Sequence, residues 1–233
     1  MVSPHQTCDI KIVSSVISTK PTINLLGVEF DSNFTTLPFL HKLAKEANTR
    51  KSLLARLSYS MPPHLLSTFS NAILMGKILS ACPVTIPVRI SCEDKAYHGV
   101  LGVLDDINKS IKATARSITK TKLSDKIQCT DVLKKANLKC LNEAVASITA
   151  TTVWKSKRTM NPLGCCLFRE KNCVKHTRFA SSNEIRLPVP GYPHLATNTM
   201  ARVWNNVSQL HTAETLGAAK AISNQWSKSL PAY

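Results

Sequence analysis

The chain has 233 residues, 43% of them hydrophobic, which is enough apolar material for one large or two small cores and excludes a simply disordered polymer. It carries 30 Lys+Arg against 14 Asp+Glu, a formal net charge of +16, so a polyanion is the first partner to expect and nucleic acid the first polyanion. With 7 Gly and no GxxxxGK[ST] or GxGxxG pattern, a glycine loop that cradles phosphates is excluded.

The N-terminal stretch MVSPHQTCDIKIVSS has no basic n-region and no long apolar core, and it lacks the Arg of a transit peptide. No apolar run is long enough to span a membrane. The 8 Cys are therefore expected to be free thiols in a reducing, intracellular compartment, nuclear or cytoplasmic. Cys8 to Val13 alternates as a short strand. Ser14 to Pro21 connects it to a second strand, Ile23 to Phe30, in which Gly27 marks a bulge or a close backbone approach. The two strands are expected to form a hairpin. An isolated hairpin is barely stable in water, so the chain is expected to begin within a larger structure.

Asp31, Ser32 and Asn33 make a turn. Thr36 is expected to cap a long helix, with Pro38 in its first turn, where a missing N–H costs little. Leu40, Leu43, Ala44, Ala47, Leu54 and Leu57 fall on one face of that helix, and Lys42, Lys45, Thr49 and Arg56 on the opposite one. Pro62 and Pro63 start a second helix, to Cys82, with Leu65, Phe69, Ala72, Ile73, Gly76 and Leu79 as its expected core face. Gly76 in mid-helix costs stability and is read as permitting a close helix contact. Pro83 to Pro87 is read as extended. Ser91 to Ile118 reads as a third helix, opened by a variant capping box of Ser91 and Asp94 and packed through Val100, Leu101, Leu104, Ile107 and Ile111.

Lys109 to Lys139 is the densest basic block, with nine Lys+Arg against Asp125 and Asp131. Within it Thr130 is expected to cap a short helix. Leu141 to Ser156 is a longer helix with Leu141, Val145, Ile148 and Thr152 along one face. Arg158 to His194 has little periodicity and reads as a linker or surface loop, with Pro188, Pro190 and Pro193 at its end. The tail returns to helix, with Met200, Val203, Trp204 and Val207 on a core face.

These residues form a set. Leu26-Gly27-Val28 with Asp31, followed by the helix of His41 and Lys42, resembles the stretch just after the catalytic palm in reverse transcriptases of non-LTR retrotransposons. In that family the strand and turn form the primer grip, and the following helices form the thumb. MPPHLLSTFSNAILMGKI, with Gly76-Lys77, is similar to the second thumb helix. LDDINKSIKATAR is similar to the segment leading to Asn108, Lys109 and Arg116. Leu141-Asn142 with Trp154, and Asn161-Pro162-Leu163-Gly164, resemble motifs in the C-terminal region of jockey-like elements. Ala201-Arg202-Val203-Trp204-Asn205 resembles the closing tryptophan–asparagine helix. The resemblance runs from about the tenth residue to the end.

It implies a mainly α fold: a palm-edge or primer-grip hairpin over residues 1–34, a helical thumb over 35–120, and a helical C-terminal region over 121–233 with an irregular segment near 158–194. It also implies a part of an RNA-directed DNA polymerase that grips primer–template. The residues expected to meet nucleic acid are Leu26, Gly27, Asp31, Lys42, Lys45, Arg56, Lys77, Lys109, Lys112 and Arg116. The family's catalytic aspartates, which hold two Mg²⁺, precede the primer grip. No such motif lies in the few residues before Ile23, so the chain is read as a fragment without polymerase activity, and Mg²⁺ is expected only for the intact polymerase. The remainder of such a polymerase is the implied protein partner. The alternative reading is a domesticated basic helical protein that binds nucleic acid or protein.

Two motifs compete with this reading. Asp105-Asp106 looks like the palm's aspartate pair, but it follows the primer grip and lies inside a helical pattern, so a solvated helix face is preferred. Cys165, Cys166, Cys173 and His176 offer a Cys-x-x-His spacing suited to zinc. Adjacent cysteines seldom supply two ligands together and no CxxC precedes them, so free thiols are preferred.

Overall fold

The computed structural model describes residues 10–12, 15–17, 20–33, 35–91, 100–168 and 196–233, with 10–12, 15–17 and 164–166 described by their backbone alone. The fold is mainly helical, with short antiparallel strands at the N-terminal end.

Two hairpins stand where one was expected. Strand β1 (Ile10–Ile12) pairs with β2 (Ser15–Ile17), and β3 (Thr22–Leu25) pairs with β4 (Val28–Asp31). The Cys8–Val13 strand therefore does not pair with Ile23–Phe30, and the latter is not one strand with a bulge. It folds back on itself, with Leu25 opposite Val28 and Leu26–Gly27 as a two-residue turn. Leu26 has φ 51° and Gly27 has φ 84°, the paired positive values of the hairpin turn that matches strand twist. The Gly27 N–H donates to Asn24 Oδ1 at 3.0 Å. The turn was hidden because a leucine stands at its first position, where asparagine or glycine is usual.

Asp31 then clamps the entry to α1 (Leu37–Leu57). Its Oδ1 accepts from the N–H groups of Asn33 at 2.9 Å and Thr35 at 2.8 Å. Thr36 occupies the N-cap position, but its hydroxyl donates to the Thr85 carbonyl at 2.9 Å instead of capping. Leu40, Leu43, Ala47 and Leu54 are buried, and α1 packs mainly on α5 (Leu101–Thr119).

The second helix is α2 (Pro63–Ser70), a wide π-turn at Asn71–Met75, and α3 (Gly76–Leu79). Its core face differs from the sequence expectation. Leu66, Ser67, Ser70, Leu74, Met75 and Ile78 are buried, while Leu65 is 48% and Phe69 40% exposed. The polar Ser67 and Ser70 disguise the buried face, and Ser67 Oγ earns its place by donating to the Ala136 carbonyl at 2.6 Å. The buried positions recur every four residues, a spacing that a π-turn sustains better than a regular helix. Gly76 is exposed, and a Cβ there would meet nothing closer than the Asn71 carbonyl at 3.6 Å, so it permits no close helix contact.

Pro83 lies in a helical turn, α4 (Cys82–Thr85), where an extended segment was expected; the extended chain begins after Thr85. Helix α5 starts at Leu101 with Val100 at its N-cap; of the expected capping box, Asp94 lies outside the described residues. Helix α6 (Cys129–Lys135) starts one residue before Thr130, with Gln128 at the N-cap. Helix α7 (Leu141–Thr159) is the centre of the C-terminal half. Leu141, Ala144, Val145, Ala146, Ala150, Val153 and Trp154 are buried on several of its sides. Short α8 (Pro162–Leu167) occupies the start of the stretch read as irregular, and α9 (Ala196–Asn206) and α10 (Leu216–Ser227) pack on α7. Met200, Val203, Trp204 and Val207 are buried as expected. A single cluster of buried side chains runs from Leu40 on α1 to Ala219 on α10.

Asn142 ties the halves together. Its Oδ1 accepts from the Arg89 N–H at 3.0 Å, and its Nδ2 donates to the carbonyls of Arg89 at 2.8 Å and Pro231 at 2.7 Å. Arg89 Nη1 donates to the Ala232 carbonyl at 2.9 Å, and the Tyr233 hydroxyl donates to the Pro87 carbonyl.

Candidate nucleic-acid interface

The long helix α1 buries one side and leaves the other to solvent, so charge on its outer face is displayed as a row. Lys42, Lys45, Thr49, Ser52 and Arg56 are all exposed, and their three- and four-residue spacing puts them on one face. At 1.5 Å per residue the row from Lys42 to Arg56 is about 21 Å long, the axial length of about six base pairs. Among the described residues, Lys42, Lys45 and Arg56 form no ion pair. His41 is exposed beside the row.

The other expected cations are partly occupied. Lys77 pairs with Glu46 on α1 at 3.2 Å. Lys109 lies 2.9 Å from Asp105 and 3.1 Å from Asp106, one and the same helix face. Hydrogen bonding to Asp105, then to Asp106, raises the Lys109 pKa above its usual value. Arg116 is half-buried and its Nη2 donates to Cys129 Sγ at 3.5 Å. Lys112 is half-buried as well. The stripe read along α5 is thus not three free cations, because i, i+3 and i, i+4 carboxylates answer its first member. The same geometry puts Asp105 and Asp106 on a helix, bound to a lysine.

At the hairpin, Leu26 projects fully into solvent from the β3–β4 turn, whose backbone Gly27 makes possible. The Asp31 carboxylate is turned inward to the chain, accepting from Asn33 and Thr35. Its shown role is to hold the strand-to-helix corner.

A feature the sequence did not single out is a groove of about 760 Å³ between the start of α2, the end of α5 and the end of α6. Pro63, His64, Lys120, Lys135 and Asn137 line it. Lys120 and Asn137 stand in left-handed conformations, φ 53° and 54°, just past the helix ends. Its sequence signal was the basic block of Lys109 to Lys139, but nothing in the spacing tells which of those lysines share a concavity.

Of the zinc candidates, Cys173 and His176 lie outside the described residues, and Cys165 and Cys166 fall on α8, whose backbone alone is described there. No cluster of three metal-ligating side chains occurs among the described residues. Burial pushes the Cys82 thiol up to about 12 and raises Cys140 too, so both are held as neutral thiols. Lys157 lies 4.6 Å from the Trp204 ring centroid, and burial, then the nearby Arg158, lowers its pKa. No helix among the described residues is long and apolar enough to cross a membrane.

Compared with protein-family models, curated proteins and solved structures, the chain matches none.

Proposed function

We propose that the chain binds nucleic acid through its phosphate backbone, without regard to sequence, as the primer–template-gripping part of a reverse transcriptase of the non-LTR retrotransposon type. The observation that carries this reading is the exposed row of Lys42, Lys45 and Arg56 on α1, which no carboxylate pairs with among the described residues, in a chain of net charge +16. A row of cations on a rigid helix neutralises successive phosphates and releases their counterions. The order of the motifs from Leu26-Gly27 to Trp204-Asn205 supports the choice of family. Aromatic residues are 6% of the chain, so base stacking contributes little and backbone contact dominates.

The chain by itself is expected to make no DNA. Its adjacent aspartates, Asp105 and Asp106, sit on a helix and bind Lys109, a poor arrangement for two Mg²⁺ ions. Mg²⁺ belongs to the intact polymerase in this reading. Primer extension with the purified chain and Mg²⁺ should yield no product, and template-dependent synthesis would overturn this assignment. Binding itself is tested by titrating a labelled duplex at several salt concentrations. Three phosphate contacts from α1 predict a log–log slope of at least about −3 in magnitude.

A second reading, a domesticated helical protein that binds another protein, is favoured by the half-exposed Leu65 and Phe69 on α2. Salt-insensitive capture of a protein partner, with no nucleic-acid affinity, would support it instead.

A further inference from the structure

We propose that the groove between α2, α5 and α6 is a phosphate-binding site, and that it takes a backbone phosphate of the bound nucleic acid. The inference rests on the reading above and adds a second contact region to the α1 row. Three observations meet in the groove.

The first is charge. Its lining includes Lys120, Lys135 and His64 and no carboxylate. Among the described residues neither lysine forms an ion pair. Lys109, by contrast, is matched by two aspartates, so pairing of lysines with carboxylates is available in this fold and is not used here.

The second is the backbone. Helix α2 opens at the groove with Pro62 at its N-cap, no side-chain cap and no acidic residue in its first turn. Pro63 at the first helical position has no N–H, so the N–H groups left without intrahelical partners are those of His64 and Leu65, at the positive dipole end. An anion in the groove would complete that end. The helix continues through the π-turn into α3, so the dipole belongs to a long element.

The third is shape and anchoring. The walls are fixed: Ser67 Oγ bonds the Ala136 carbonyl, and Asn71 Nδ2 bonds the Asn137 carbonyl at 3.1 Å. The α2 and α6 sides are therefore stitched together beneath the lysines, and the cavity of about 760 Å³ is open wide enough for a phosphodiester with its sugar. The chain also links the two contact regions. Arg56 ends the α1 row and Pro63 begins the groove, seven residues on, so a strand following α1 leaves it at the groove's end of the fold.

The test compares two charge-matched double variants of the full chain in duplex binding across salt. K120E/K135E changes the groove; K220E/K228E changes two exposed lysines of the α10 region, outside both contact regions. K120E/K135E should weaken binding at least about tenfold and flatten the salt slope by about two, one for each lysine. K220E/K228E should leave the slope within about half a unit of the parent. K120Q/K135Q, which adds no negative charge, serves if the glutamates disturb folding, and should show the same flattening at smaller loss. Equal loss in the groove and control variants would overturn the groove, leaving a diffuse positive surface. Parent-like binding by both groove variants would overturn it while the α1 row and the functional reading stand. A parent chain that binds no nucleic acid at low salt would remove the functional reading and the groove together. Inorganic phosphate that binds the parent chain but not K120Q/K135Q, while leaving oligonucleotide binding unchanged, would assign the site to free phosphate and overturn the proposal.

Discussion

Asn142 is fully used: one acceptor and two donor bonds hold the Arg89 backbone and the Pro231 carbonyl from a position with 1% exposure. Removing the amide leaves three half-buried backbone groups, the Arg89 N–H and the Arg89 and Pro231 carbonyls, without this partner, each costing about 1 kcal/mol. Asn142→Ala should therefore cost about 2–3 kcal/mol in urea unfolding, while the neighbouring exposed-face Lys139→Ala should cost little. A loss below about 1 kcal/mol would show that the C-terminal tail is not held as described. At the hairpin tip, Leu26 bears positive φ with no special reason in its own chemistry. A left-handed non-Gly residue costs roughly 1–2 kcal/mol, less for asparagine. Leu26→Asn should thus raise stability by up to about 1 kcal/mol by thermal unfolding. In the functional reading Leu26 also faces nucleic acid, so the same variant should bind duplex more weakly despite its greater stability.

Cys82 provides the pH dependence. Its native pKa is raised from 9.0 to about 12, so the folded state keeps the proton that the unfolded chain loses. The contribution of this thiol is complete below pH 9.0 and falls away as pH rises toward about 12. In that window it should tilt stability downward by up to about 1.4 kcal/mol per pH unit. Cys82→Ala should be less stable at neutral pH, through the lost packing, yet show a flatter alkaline limb than the parent. Identical limbs would deny the thiol its protected state.

Among the elements, α1 was the most legible. Its apolar and basic residues alternate at helical spacing over more than five turns, and tertiary contacts reinforced that pattern. The α2–α3 helix was the least legible, although its existence was plain. Phe69 and Leu65 outweigh Ser67 and Ser70 by hydrophobicity, yet both serines are buried: the Ser67 hydroxyl is satisfied by the Ala136 carbonyl, whereas Ser70 Oγ has no hydrogen-bond partner among the described residues. The π-turn adds a residue that no propensity announces. Leu74→Ala should accordingly cost about 2–5 kcal/mol, and Phe69→Ala under about 1.5. The reverse ranking would restore the face first read from the sequence. The β3–β4 turn was missed because Leu26 lacks turn chemistry, and the pairing of Lys109 with Asp105 and Asp106 on its own helix was not read from the stripe. The groove was invisible for a different reason: its walls come from helices far apart in sequence, and only folding brings Lys120 and Lys135 to His64.

The molecule as a whole joins its helices through one buried cluster, so the α1 row and the groove are carried by a common scaffold. That rigidity suits backbone recognition, which needs cations at fixed spacing more than it needs base-reading side chains. In the proposed reading the net charge of +16 would supply long-range attraction, and the two contact regions the local grip. The most direct measurement is the affinity of the full chain for a short duplex across a range of salt concentrations. Lys42, Lys45, Arg56, Lys120 and Lys135 predict a slope of log affinity against log salt of about −3 to −5, with little dependence on sequence. Binding that is absent at low salt, or present with a slope near zero, would contradict the account.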